Sequence, residues 1–72
     1  MASTLNPQPF VAPTARGSIQ FEYEDSEGAY LQFEFFPDSK IKMFSYTSIG
    51  VASVRYVLLE EVPEIVGEFF EG

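Results

Sequence analysis

The sequence predicts an α+β domain: a three- or four-stranded antiparallel β-meander with one C-terminal amphipathic α-helix packed on one face. Three observations predict it. Between Ser18 and Thr47, apolar and polar residues alternate in three runs, which is the period of a half-buried strand. Two short connections rich in Gly, Pro, Asp and Ser separate the runs, and connections that short join antiparallel neighbours. From Val62 onward the apolar period lengthens to that of a helix.

The first run is Ser18 to Glu24, with Ile19, Phe21 and Tyr23 on one face and Gln20, Glu22 and Glu24 on the other. Asp25-Ser26-Glu27-Gly28 follows as a turn in which Gly28 is free to take positive φ. Ala29 to Phe36 is the second strand: Leu31, Phe33 and Phe35 share the face destined for the core, and Tyr30, Gln32, Glu34 and Phe36 share the other. Pro37-Asp38-Ser39-Lys40 is the second turn, with proline where its fixed φ helps. Ile41 to Thr47 is the third strand, with Ile41 and Met43 inward and Lys42, Phe44 and Tyr46 outward. Residues 51–58 are rich in β-branched side chains, which favours a fourth strand; a helix over residues 49–59 is the alternative. Val62, Ile65, Val66, Phe69 and Phe70 then form one helical stripe, opposite Glu61, Glu64, Glu68 and Glu71. Pro63 sits in the first helical turn, where its missing N–H costs nothing. No internal repeat is read from the residues.

Residues 1–17 read as a flexible, proline-containing N-terminal arm, leaving 18–72 as a single small domain. Pro7, Pro9 and Pro13 remove backbone donors and bias their predecessors to extended conformations. Within the arm, Phe10 and Val11 are an apolar pair with nothing local to pack on. The expectation is a mobile arm that the fold can do without.

Composition narrows function mainly by exclusion. The 72 residues contain no cysteine, histidine or tryptophan. Thiol nucleophiles, disulfides, thiolate zinc sites and imidazole bases are therefore absent. Eleven acids against four bases give a net charge of -7, the reverse of a nucleic-acid footprint. No run approaches the roughly 18 apolar residues of a membrane span. The opening residues lack the charged and apolar regions of a secretory signal. The expectations are a cytoplasmic location, no membrane partner and no direct nucleic-acid partner. No catalytic residue, cofactor or metal ligand is expected: Asp25-Ser26-Glu27-Gly28 is too short for a calcium loop. Only Lys40 or Lys42 could activate a hydroxyl.

Two surfaces stand out as binding candidates. On the helix, Glu60/Glu64 and Glu64/Glu68 are like charges four apart, each pair costing about 0.2–0.5 kcal/mol. Glu68 and Glu71 also crowd the negative end of the helix dipole. Charge kept where it destabilises points to a basic partner, so Glu61, Glu64, Glu68 and Glu71 are the expected partner-binding residues. With Glu22, Glu24, Asp25 and Glu27 on the hairpin, such a surface can imitate the phosphate array of a nucleic acid. The second surface is Tyr30, Phe36, Phe44 and Tyr46, an aromatic cluster on the outer sheet face with the make-up of an interface. The leading expectation is thus a non-enzymatic, acidic protein-binding module: an inhibitor, an antitoxin- or immunity-like protein, or an adaptor. The alternative is a homo-oligomer, in the simplest case a homodimer, joined through the aromatic face. Small domains without disulfides or metals are marginally stable, which favours association in either case.

Overall fold

The computed structural model describes residues 9–71. Five strands and one helix follow in chain order: β1 Phe10–Pro13, β2 Ile19–Glu24, β3 Tyr30–Phe35, β4 Ile41–Tyr46, β5 Ala52–Val57, a 3-10 turn Leu59–Glu61, and α1 Val62–Glu71. The strands form one antiparallel sheet in sequence order, β1-β2-β3-β4-β5. The α+β class, the meander and the C-terminal helix are as expected. The strand number is five, rather than three or four.

Both additional strands have a physical reason. β5 is the β-branched segment, and its strand reading prevails over a helix. β1 lies within the expected arm, where prolines suggested irregular chain. The register pairs Phe10 with Glu22 and Pro13 with Ile19, and the turn bond runs from the Thr14 N–H to the Ser18 carbonyl. In an antiparallel pair, residues bond across alternately, so Phe10, Ala12 and Thr14 bond β2 while Val11 and Pro13 face away, and Pro9 immediately precedes the strand. The two prolines thus occupy edge positions where no ladder donor is needed. Of the expected arm, residues 1–8 lie outside the described residues.

All four hairpin turns share one geometry. In each, the first residue donates its N–H to the carbonyl four residues on and accepts from the N–H three residues on: Thr14–Ser18, Asp25–Ala29, Phe36–Lys40 and Thr47–Val51. The fourth position has positive φ, and it is Gly17, Gly28, Ser39 and Gly50. These positions are eleven residues apart, so the strand–turn unit is an internal repeat that the sequence reading did not find. Side chains reinforce it: Thr14 Oγ1, Asp25 Oδ1 and Thr47 Oγ1 each accept the N–H of the residue four on, at 3.2, 2.9 and 3.1 Å.

The core lies between one sheet face and α1. Leu31, Phe33, Ile41, Met43 and Val57 are buried, with Phe21, Tyr23, Phe35, Val62, Ile65, Val66 and Phe69 packed around them. Phe21–Phe33–Met43 is one cross-strand row and Phe35–Ile41–Val57 another. Edge-on aromatic packing joins Phe21 to Phe35 at 5.1 Å and Tyr23 to Phe70 at 5.9 Å. The helix stripe therefore faces the sheet as expected, although Phe70 at its end stays 40% exposed. The N-terminal approach to α1 is fixed by Glu61, whose Oε1 accepts the Leu58 N–H at 2.9 Å. Among the described residues no helix is long and apolar enough to cross a membrane.

Candidate functional site

The meander brings the acidic helix end to the first acidic hairpin. The β2–β3 turn and the last turn of α1 flank an open groove of about 440 Å³ lined by Glu24, Asp25, Ser26, Glu27, Phe69, Phe70 and Glu71. No lysine or arginine lines it. Asp25 is committed to the turn, since its Oδ1 accepts the Glu27 and Ala29 N–H groups at 2.8 and 2.9 Å. Glu24, Glu27 and Glu71 are exposed, and Phe69 and Phe70 form the apolar wall, their rings edge to face at 4.9 Å. Charge above an aromatic pair suits the long side chain of Lys or Arg, whose stem is apolar and whose head is cationic.

The four expected helix residues divide. Glu71 belongs to this groove. Glu64 and Glu68 are exposed on the helix. Glu61 is half-buried and serves as the cap of the preceding turn. Hairpin and helix acids, far apart in the chain, meet at the end of the sheet because the 10-residue helix runs back across it.

The outer-face aromatics divide as well. Tyr30, Phe44 and Tyr46 form a trio with ring separations of 5.2 to 6.1 Å, Tyr30 and Tyr46 stacked. Phe36 stands apart beneath Arg16, whose guanidinium lies 5.9 Å from the ring centre. The Tyr30 hydroxyl donates to Gln32 Oε1 at 2.7 Å. Its pKa is pushed up to about 12, first by burial and then by the nearby Glu22 carboxylate. Tyr30, Glu22, Glu24, Tyr23 and Phe10 line a second open groove of about 470 Å³. Both grooves exceed the roughly 300 Å³ of a small ligand site, but both are open to solvent. Phe10, 67% exposed, borders the second groove from β1.

One polar cluster was missed. Glu34 sits on the outer face yet is only 1% exposed. Arg16 Nε approaches its Oε2 at 2.9 Å, Ser18 Oγ donates to the same oxygen, and Thr14 Oγ1 contacts the Ser18 hydroxyl. A carboxylate at an outward position is ordinarily solvated; this one is covered by the β1–β2 turn. The only signal in the sequence is Arg16 beside Ser18. The cluster holds a turn against the sheet and leaves no buried polar side-chain atom unpartnered among the described residues.

Two ion pairs occur among the described residues, Arg16–Glu34 and Lys40–Asp38. Comparison of the chain with protein-family models, with curated proteins and with solved structures finds no match.

Proposed function

We propose that the chain is a non-enzymatic protein-binding module that takes a basic partner on its acidic end. The observation that carries this reading is the convergence of Glu24, Glu27 and Glu71 around Phe69 and Phe70, with no base in the groove. Carboxylates from two elements are held together without a compensating cation, and an arginine- or lysine-bearing surface supplies one. Glu64 and Glu68 extend the negative field along the helix and steer such a partner by long-range attraction. The charge array resembles what a nucleic acid offers a basic groove, which fits an inhibitor or antitoxin-like role. The sheet and the helix that packs on it give these groups their frame.

The test is affinity capture of basic proteins at low salt by the wild-type chain and two variants. One carries Glu24→Gln, Glu27→Gln and Glu71→Gln; the other carries Glu64→Gln and Glu68→Gln. The first variant is expected to lose the bound partner, and the second to slow its association and flatten its salt dependence. Capture that is equal in all three chains and indifferent to salt would overturn the reading.

A further inference from the structure

The two edges of the sheet are built differently. On β1 the residues facing away from the sheet are Val11 and Pro13, and Pro9 immediately precedes the strand, so Val11 alone offers an edge N–H. On β5 the corresponding residues follow from the β4–β5 turn, where the Thr47 N–H bonds the Val51 carbonyl. The register pairs Ser45 with Ser53, Met43 with Arg55 and Ile41 with Val57. Odd-numbered residues of β5 therefore bond β4, and Ala52, Val54 and Tyr56 direct their N–H and C=O groups outward. None of them is proline.

β5 is also bare on both faces up to Tyr56, only Val57 at its end being buried. Every residue from Ala52 to Tyr56 is exposed, Val54 at 57% and Tyr56 at 60%. An unbroken, β-prone edge with Arg55 as its one charge is a template for another strand.

We infer that β5 pairs antiparallel with β5 of a second copy, giving a two-fold dimer with one continuous ten-stranded sheet. This goes beyond the acidic-end reading and does not depend on it. Three observations select a second copy of the chain.

The first is register. A two-fold axis perpendicular to the sheet keeps like faces together. With the axis at Val54, Val54 faces its own copy and Ala52 faces Tyr56, so all three outward residues bond in both chains. Shifting the pairing by two residues in total either way leaves one of the three without a free partner. The Leu58 N–H is already taken by Glu61 and the Gly50 N–H by Thr47. One of those shifts also sets Arg55 opposite Arg55, and like charges directly opposite are unfavourable. The Val54 register sets Arg55 opposite Ser53 and the bulky Tyr56 opposite the small Ala52.

The second is charge. On a chain of net charge -7, residues 39–59 hold Lys40, Lys42 and Arg55 and no acid. The β4–β5 hairpin is therefore where two copies can meet without bringing carboxylates together.

The third is the placement of the acidic end. It lies at the same end of the sheet as the β4–β5 turn, because Asp25, Glu27, Ser45, Thr47 and Ser48 line one surface depression. Antiparallel pairing of β5 sends the two acidic ends to opposite ends of the doubled sheet.

Sedimentation velocity on the full chain, from micromolar to millimolar concentration, is expected to show a species of twice the 8.1 kDa chain mass. Its population should not fall between low and high salt, since salt screens the repulsion between two acidic chains, whereas partner capture by the acidic end should fall. The chain has no cysteine, so single cysteines report the register. Val54→Cys should oxidise to a covalent dimer, because directly bonded antiparallel pairs lie about 5.5 Å apart at Cα, within disulfide reach. Ala52→Cys and Tyr56→Cys should each cross-link poorly alone and readily when mixed. Val54→Pro removes an outward N–H and no β4 bond, and should give a monomer that retains its circular dichroism and cooperative melt. An 8.1 kDa species throughout the concentration range would overturn the proposal. So would a dimer that persists in folded Val54→Pro, or Ala52→Cys cross-linking alone as fast as Val54→Cys. Should Val54→Pro fail to fold, the cysteine series decides.

Discussion

Glu34 shows how one side chain can reverse the reading of its position. Its place in the alternation puts it on the outer face, and the turn above it takes it out of water. Its carboxylate is balanced by Arg16, which is itself largely exposed, and by the Ser18 hydroxyl. Removing Glu34 takes the charged acceptor away from the buried Ser18 hydroxyl and opens a gap beneath the turn. Glu34→Ala should therefore lower unfolding stability by about 1–3 kcal/mol in a denaturant titration, whereas Glu22→Ala on the same face should change it by about 0.5 kcal/mol or less. Tyr30 gives a pH counterpart. Its folded pKa, pushed up to about 12, lies above its ordinary value of 10.0. The unfolded chain loses that proton first, so stability is unaffected below pH 10 and falls as pH rises toward 12. Ultraviolet titration should show a late phenol step that is missing in Tyr30→Phe. None of this was legible beforehand, because alternation assigns a face and says nothing of what a neighbouring turn lays over it.

At the scale of elements, the three central strands and the helix were legible because each carries a full period of alternation or stripe. β1 was not: three residues between prolines are too few to show a period, and proline at an outward edge position looks like proline in irregular chain. The eleven-residue repeat was legible in principle from Gly17, Gly28 and Gly50 with Thr14, Asp25 and Thr47 three residues before them. Phe36 and Ser39 conceal it at the third turn, where the conformation is kept and the residues are not. Ser39 holds a φ of 76°, a region in which a non-glycine residue costs roughly 1–2 kcal/mol. Ser39→Gly should accordingly raise stability by about 0.5–1 kcal/mol, the left-handed strain being partly offset by the entropy glycine adds to the unfolded chain. The reciprocal change Gly28→Ser, at a φ of 92°, should lower it. Thermal unfolding of the two variants beside wild type measures both, and a loss of stability in Ser39→Gly would mean that the serine side chain contributes more than its backbone costs.

For the whole molecule, the difference between its edges decides what self-association can become. On the proposed pairing of β5 with β5, a sheet with one open edge closes as a dimer, because among the described residues the other edge offers a single outward N–H, that of Val11. A sheet with two open edges has no such limit and grows by repeated addition. The prolines of β1 are thus predicted to matter more for assembly than for folding. β1 brings little burial, Val11 being 51% exposed and Phe10 more so. Its ladder bonds, at about 1 kcal/mol each net, are of the same order as the cost of ordering its backbone, about 1–2 kcal/mol per residue. Replacing Pro9 and Pro13 by valine restores two outward N–H groups on an uncharged strand and leaves the bonds to β2 in place. The double variant should melt within about 1 kcal/mol of wild type and sediment as species larger than a dimer, increasing with concentration. Adding Val54→Lys, which burdens the β5 edge with a charge opposite itself, should return these assemblies to a β1–β1 dimer and no further. If the double variant stops at the wild-type mass, β1 is kept from pairing by something other than its missing donors, and the prolines serve only to set the direction from which the chain enters the sheet.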